Sequence, residues 1–243
     1  MVKRTITSVV MFAIGLPLLL LGGIPYFIFI TFLLVAAGWE YMNMMRAVDG
    51  QTPRGLLLAL LLGLIITRSF FDGYGDTMLT LSVMLLMAWH LFEYERGRER
   101  AAFDFAVSVA ILVYIGWVGS YLILLRALPD GGWWLMLCLM CVWLADTGAY
   151  LLGSAYGKHK MSPRLSPHKS WEGYFGGVFS AVLMGSFFAY SFSRWGPLHL
   201  QPWHGAVLGL IIGGLSPLGD LGKSMIKRLA GFKDSGTLNP GLG

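Results

Sequence analysis

The chain has 243 residues, 56% of them hydrophobic and only 13% charged, with a mean hydropathy of +0.66. A soluble domain carries about a quarter charged residues, so this balance excludes an ordinary soluble domain. Apolar runs recur along most of the length, which predicts an all-α polytopic membrane bundle. The net charge of +5 is not a nucleic-acid footprint, because basic residues in a membrane protein set topology and meet anionic lipid.

Lys3 and Arg4 precede an apolar run that resembles a signal peptide. No small-residue cleavage site stands out, so an uncleaved first helix is expected. The stretch from Ile6 to Ala37 is too long for one crossing at roughly 20 residues. Gly22, Gly23 and Pro25 divide it into helices over about 5–22 and 25–46. Further helices are predicted over about 55–70 (short for a span), 76–94, 102–127 and 132–153. A polar loop, Ser154 to Ser170, precedes helices over about 171–193 and 202–231. That makes eight crossings in a single membrane domain over 1–243, with N-terminal helices over about 5–127 and a C-terminal half over about 132–243.

With the N-terminus in the cytoplasm, fifteen Lys and Arg fall on the cytoplasmic side, and only Arg68, Arg126 and Arg194 on the other. That asymmetry supports the crossings and the orientation together. Cys138 and Cys141 have the C-x-x-C spacing but lie in an apolar run with no second ligand pair, so buried packing is expected.

Five acidic residues, Glu40, Asp104, Asp146, Glu172 and Asp220, fall within helices or at their cytoplasmic ends. A carboxylate in a membrane span costs roughly 2.5–3.5 kcal/mol to insert and is a functional candidate by default. Their convergence predicts a polar cavity open to the cytoplasm, although Glu40 and Asp104 also fit an interfacial role. The last helix carries Asp220, Ser224, Lys227 and Arg228 on one face. A carboxylate, a hydroxyl and two cations suit a metal ion and phosphates; basic residues meeting lipid headgroups is the plainer account. The loop after helix six supplies Lys158, Lys160, Arg164, Ser166, His168 and Lys169. Ser170-Trp171-Glu172-Gly173 then starts a helix with a cap-like Ser, an arrangement suited to a polyphosphate. Gly222-Lys223-Ser224 resembles a phosphate-binding Gly-rich loop, but Pro217 stands where that motif needs Gly, and no strand precedes it.

Ser224-Met225-Ile226-Lys227-Arg228, followed after four residues by Lys233-Asp234-Ser235-Gly236, resembles the signature of the phosphatidate cytidylyltransferases (CDP-diacylglycerol synthases). Asp146-Thr147-Gly148-Ala149-Tyr150 and Ser166-Pro167-His168-Lys169-Ser170-Trp171-Glu172-Gly173 resemble the same family's pattern, with His168 a mild departure. The family signature continues with an apolar residue, Pro-Gly, His-Gly-Gly, two aspartates around an arginine and a final helix. Asn239 and Leu242 depart from it, so a C-terminally truncated or altered member is expected.

The resemblance implies transfer of a cytidylyl group from CTP to phosphatidate, giving CDP-diacylglycerol and pyrophosphate. It implies Mg²⁺ at a two-metal site, with Asp220 as a ligand and Asp146 as a ligand or a carboxylate behind it. Lys227, Arg228 and Lys233 would hold the phosphates of CTP or the headgroup of phosphatidate, with Lys169 reaching from the facing loop. Ser166 and Ser224 would donate to phosphate oxygens, and Lys158 belongs to the same basic loop. Asp234 would orient Lys233 or approach the metal, and Glu172 would lock the loop through an ion pair. The implied partners are CTP, phosphatidate and membrane lipid, with no nucleic acid, and a homodimer stays open. The implied place is a bacterial cell membrane, with the site facing the cytoplasm. Two other classes fit the composition: a lipid-binding or scaffold relative that no longer catalyses, and a transporter, for which no internal repeat is found.

Overall fold

A computed structural model describes residues 13–231. Residues 13–21 form α1, followed by α2 (Gly23–Arg46), α3 (Arg54–Phe70), α4 (Gly75–Glu95) and α5 (Ala101–Ala110). A π-helical stretch, Ile111–Trp117, leads to α6 (Tyr121–Ala127). Then come α7 (Gly131–Tyr156), strands β1 (Lys160–Ser162) and β2 (Ser166–Ser170), α8 (Trp171–Trp195) and α9 (Pro202–Leu229). Six helical stretches among the described residues are long and apolar enough to cross a membrane: α2, α4, Ala101–Ala127, α7, α8 and α9. The chain is an all-α multi-pass membrane protein. Of the other two expected crossings, α3 has 17 residues, and residues 5–12 of the first expected crossing lie outside the described segment.

The described helices form two compact units, one holding those up to Ala127 and the chain from Leu229, the other Leu128–Arg228. In the first unit Asp104 is fully buried. Its carboxylate accepts from Arg98 Nε at 2.8 Å and from the Gln51 backbone N–H at 2.8 Å. Arg98 also donates to the Asp49 carboxylate at 2.8 Å, and this hydrogen bond holds the Asp49 carboxyl below the usual carboxylate range. Asp104 is therefore a buried structural anchor at the start of its helix, tied to the loop residues Gln51 and Arg98. On α3, Arg68 donates to the Trp117 carbonyl at the end of the π-helical stretch and to Ser120 Oγ, and lies over the Trp117 ring. A π turn widens the helix and offsets its carbonyls, and a cation here binds one of them.

The second unit is held by small residues. Without a hydrophobic force between helices in lipid, close approach of backbones supplies the attraction. On α8, Gly173 and Gly177 face α7, where an added Cβ would stand 2.8 Å from the carbonyls of Ala149 and Ala145 respectively. Further along, Gly185 meets Gly205 of α9 backbone to backbone, and Ala181 meets Gly209 and Gly213. One helix thus carries α7 and α9 on the same ribbon of glycine and alanine. Cys138 and Cys141 are free thiols on α7, half-buried and buried, as their apolar surroundings predict.

The segment expected as a plain loop is shorter and more ordered. Residues 154–156 end α7, and β1 pairs antiparallel with β2, Lys160 opposite Ser170 and Ser162 opposite Ser166. Pro163 and Pro167 stop a helix here, and the backbone groups of this polar stretch find each other instead.

Replacing Gly205 by Ala puts a methyl against the Gly185 carbonyl. Overpacking of this kind costs about 1–3 kcal/mol, and the expected outcome is a lower thermal midpoint of the purified protein in detergent, with Gly219→Ala, which meets nothing within 4 Å, as the silent control.

Candidate active site

A cavity of about 630 Å³ lies among α7, the β1–β2 hairpin, α8 and α9. Asp146 and Ala149 line it from α7, Lys160, Ser166, His168 and Lys169 from the hairpin, Gly173 and Tyr174 from α8, and Gly213, Ser216, Pro217 and Asp220 from α9. Each wall follows from local sequence. Ser170 caps α8, accepting the Gly173 N–H at 3.2 Å, so the hairpin's second strand runs directly into the helix. Glycines on the α7–α8 contact bring Asp146 alongside. Pro217 sits inside α9 and has no N–H to donate to the Gly213 carbonyl. The Tyr174 hydroxyl donates to the next carbonyl, Gly214, at 3.3 Å.

The charges in the cavity are coupled across three elements. Lys169 Nζ donates to Asp220 Oδ2 at 2.9 Å, joining the hairpin to α9. Asp146 interacts electrostatically with both Asp220 and Lys169. Asp220 remains 60% exposed and Lys169 29%, so the pair is accessible and not sealed in the interior. Two carboxylates, two ammonium groups, several hydroxyls and an imidazole therefore face one solvent-reached space. Such a set can bind a polyanion together with a hard cation.

The expected residues divide into four groups. Asp146, Ser166, Lys169 and Asp220 come together in this cavity. Lys158 and Glu172 line a separate groove beside it, with His159, Lys160, Trp171 and Phe175. There Glu172 accepts from the His159 backbone N–H at 3.1 Å and lies 2.6 Å from His159 Nδ1, so its carboxylate does fasten the loop. Ser224, Lys227 and Arg228 do not line the cavity. A helix advances about 1.5 Å per residue, which carries Ser224 roughly 6 Å and Lys227 roughly 10 Å along the axis past Asp220. Lys233 and Asp234 lie outside the described residues. The expected gathering of five acids reduces to Asp146 and Asp220, since Glu40 and Asp104 belong to the other unit and Glu172 to the groove. Sequence reasoning missed Tyr174 and Ser216. Ser216 is four residues before Asp220 and so on its face; Tyr174 gave no signal of its own.

A family model described as the cytidylyltransferase family matches residues 2–243. The chain is similar to phosphatidate cytidylyltransferases of Staphylococcus epidermidis and Staphylococcus aureus. Each is 31% identical over 241 residues, covering 99% of this chain and 90% of the relative. A phosphatidate cytidylyltransferase of Synechocystis sp. is 31% identical over 268 aligned residues, covering 99% of this chain and 89% of the relative.

Ser170→Ala removes the cap that joins the hairpin to α8. The expected loss is about 1 kcal/mol, read as a lower thermal midpoint, and a Ser170→Thr variant, which keeps the acceptor oxygen, recovers most of it.

Proposed function

The chain belongs to the cytidylyltransferase family, and from that premise we propose how its cavity works. The protein transfers a cytidylyl group from CTP to phosphatidate, forming CDP-diacylglycerol and pyrophosphate for phospholipid synthesis. The observation that carries the assignment of the site is the Lys169–Asp220 pair, in a cavity that Asp146 also lines.

In the reaction an oxygen of the lipid phosphate attacks the α-phosphorus of CTP, and the bond to pyrophosphate breaks. Both reactants are anions, so the task is to neutralise charge and align them. Lys169 and Lys160 offer ammonium groups to phosphate oxygens, and Ser166 offers a hydroxyl. His168 stands on the same wall. Lys227 and Arg228 stand further along α9, outside the cavity's lining, and the reading keeps them as contacts for phosphate there.

Mg²⁺ is the cofactor of this reading, and the donor set supports it. Mg²⁺ is usually held by one or two carboxylates and keeps its other positions for water and substrate phosphates. The cavity offers Asp146 and Asp220, and no group of three or more His, Cys, Asp or Glu that could hold a metal occurs among the described residues. Asp220 and Asp146 would hold the ion, and the chemistry it supplies is neutralisation of phosphate charge. A second ion belongs to the proposal through the family resemblance alone.

The reading includes eight crossings, a cytoplasmic N-terminus and a site facing the cytoplasm of a bacterial cell, supported by the fifteen-to-three distribution of Lys and Arg. It includes a homodimer in the cell membrane, which crosslinking in native membranes tests.

The test is CTP-dependent formation of CDP-diacylglycerol by the purified chain with Mg²⁺ and phosphatidate in detergent. Asp220→Ala is expected to abolish turnover and Mg²⁺-dependent CTP binding; near-normal turnover would overturn its assignment. Lys169→Ala removes a charge-assisted hydrogen-bond donor worth about 1.5–3 kcal/mol, so kcat/KM should fall tenfold or more. Silence from folded wild-type protein would favour the lipid-binding relative instead.

A further inference from the structure

The groove beside the active cavity has a chemistry of its own. Lys158, His159 and Lys160 line it on the hairpin side, and Trp171, Glu172 and Phe175 on the α8 side. Trp171, Phe175 and Phe179 recur every four residues and are 46%, 64% and 61% exposed. They form one stripe that starts at the first residue of a membrane helix, the level at which aromatic side chains meet headgroups. The Trp171 ring stacks on Phe175 with centroids 6.2 Å apart and meets Tyr174 edge-on at 5.7 Å.

The one acid in the groove is already engaged, since Glu172 accepts from the His159 N–H and lies against its ring. Neither Lys158 nor Lys160 forms an ion pair among the described residues. Lys160 also lines the active cavity, and so does Tyr174, which touches both Trp171 and Phe175. The groove and the cavity therefore share a wall.

Two unpaired ammonium groups above an aromatic stripe at the membrane surface match one kind of molecule, an amphiphile with an anionic head and acyl tails. A nucleotide satisfies the cations and leaves the stripe bare. A zwitterionic lipid satisfies the stripe, but its phosphodiester carries its own cation. An anionic phosphodiester brings one negative charge to two ammonium groups, whereas a phosphomonoester lipid brings up to two and satisfies both cations and the stripe. We propose that this groove is a docking site for phosphatidate, with the phosphate on Lys158 and Lys160 and the upper acyl chains along Trp171 and Phe175, from which the head passes Lys160 into the cavity. The proposal rests on the cytidylyl-transfer reading of that cavity.

The experiment uses the full chain in lipid nanodiscs. Phosphatidate brominated on its upper acyl chain quenches nearby tryptophan, and the Trp171 contribution is the difference between wild type and Trp171→Phe. Expected is stronger quenching of Trp171 by brominated phosphatidate than by brominated phosphatidylglycerol, an anionic phosphodiester, at the same mole fraction, a preference that disappears in Lys158→Gln/Lys160→Gln. Lys158→Gln alone, which leaves the lining of the active cavity intact, should raise the KM for phosphatidate about fivefold, as loss of one surface lysine near an anionic headgroup predicts, with CTP affinity unmoved. Equal quenching by both lipids would overturn the proposal. So would a rise in the KM for CTP in Lys158→Gln that matches the rise for phosphatidate, because that lysine would then serve the nucleotide. If the preference for phosphatidate holds while no CDP-diacylglycerol forms, docking stands and the cytidylyl-transfer reading falls.

Discussion

The close approach of α7, α8 and α9 is the constraint on which the active cavity depends. In lipid these helices gain nothing by hiding apolar side chains from one another, so they need shape. The ribbon of Gly173, Gly177, Ala181 and Gly185 on α8 supplies it, because backbone can meet backbone only where side chains are absent. Asp146 and Asp220 lie far apart in sequence and on different helices. They share a cavity because α8, between them in the chain, is thin enough to carry both neighbours. The hairpin adds Lys169, and its position is fixed in turn by the Ser170 cap and by the His159–Glu172 fastening. The charged groups of the cavity are thus placed by elements with no chemistry of their own.

The other unit is held by a different kind of contact. Arg98 gathers Asp104 and Asp49, and Arg68 gathers the Trp117 carbonyl, Ser120 and an aromatic ring. Arg98 spreads its planar donors over oxygens on two separate segments, which a lysine's point charge could not reproduce. Charges that look functional from the sequence are here spent on tying the chain together. The carboxylate proposed to act differs in exposure: Asp220 is open to solvent where Asp104 is sealed.

Much of this was legible in the residues. Hydropathy located the helices within a few positions, because a membrane span must be long, apolar and internally hydrogen-bonded. The Ser170 cap was legible because its chemistry is local. Asp146, Lys169 and Asp220 were legible as candidates because ionisable groups in a membrane span need a reason to be there. Other features were not. The pairing of β1 with β2 depends on a three-residue turn inside a stretch that reads as polar loop. The stripe Asp220, Ser224, Lys227 and Arg228 is continuous on the helix, yet periodicity says nothing about how far the neighbouring walls extend, and they stop at Asp220. The role of Asp104 required knowing that the loop carrying Arg98 folds back over it.

Pro217 gives α9 two mechanically different parts. Up to Gly213 the helix is clamped against α8 at every second turn or closer. Past the proline, Leu218, Met225 and Leu229 are exposed, and one hydrogen bond is missing from the ladder at the joint. A rod of this kind behaves as a lever with its fulcrum beside the cavity. Asp220 is three residues from the fulcrum, about 4.5 Å along the axis, whereas Lys227 and Arg228 are roughly 15 Å out. Any small tilt at the joint sweeps the two cations through an arc more than three times that of the carboxylate. Such a tilt would leave the carboxylate nearly in place while displacing the outer end of the helix.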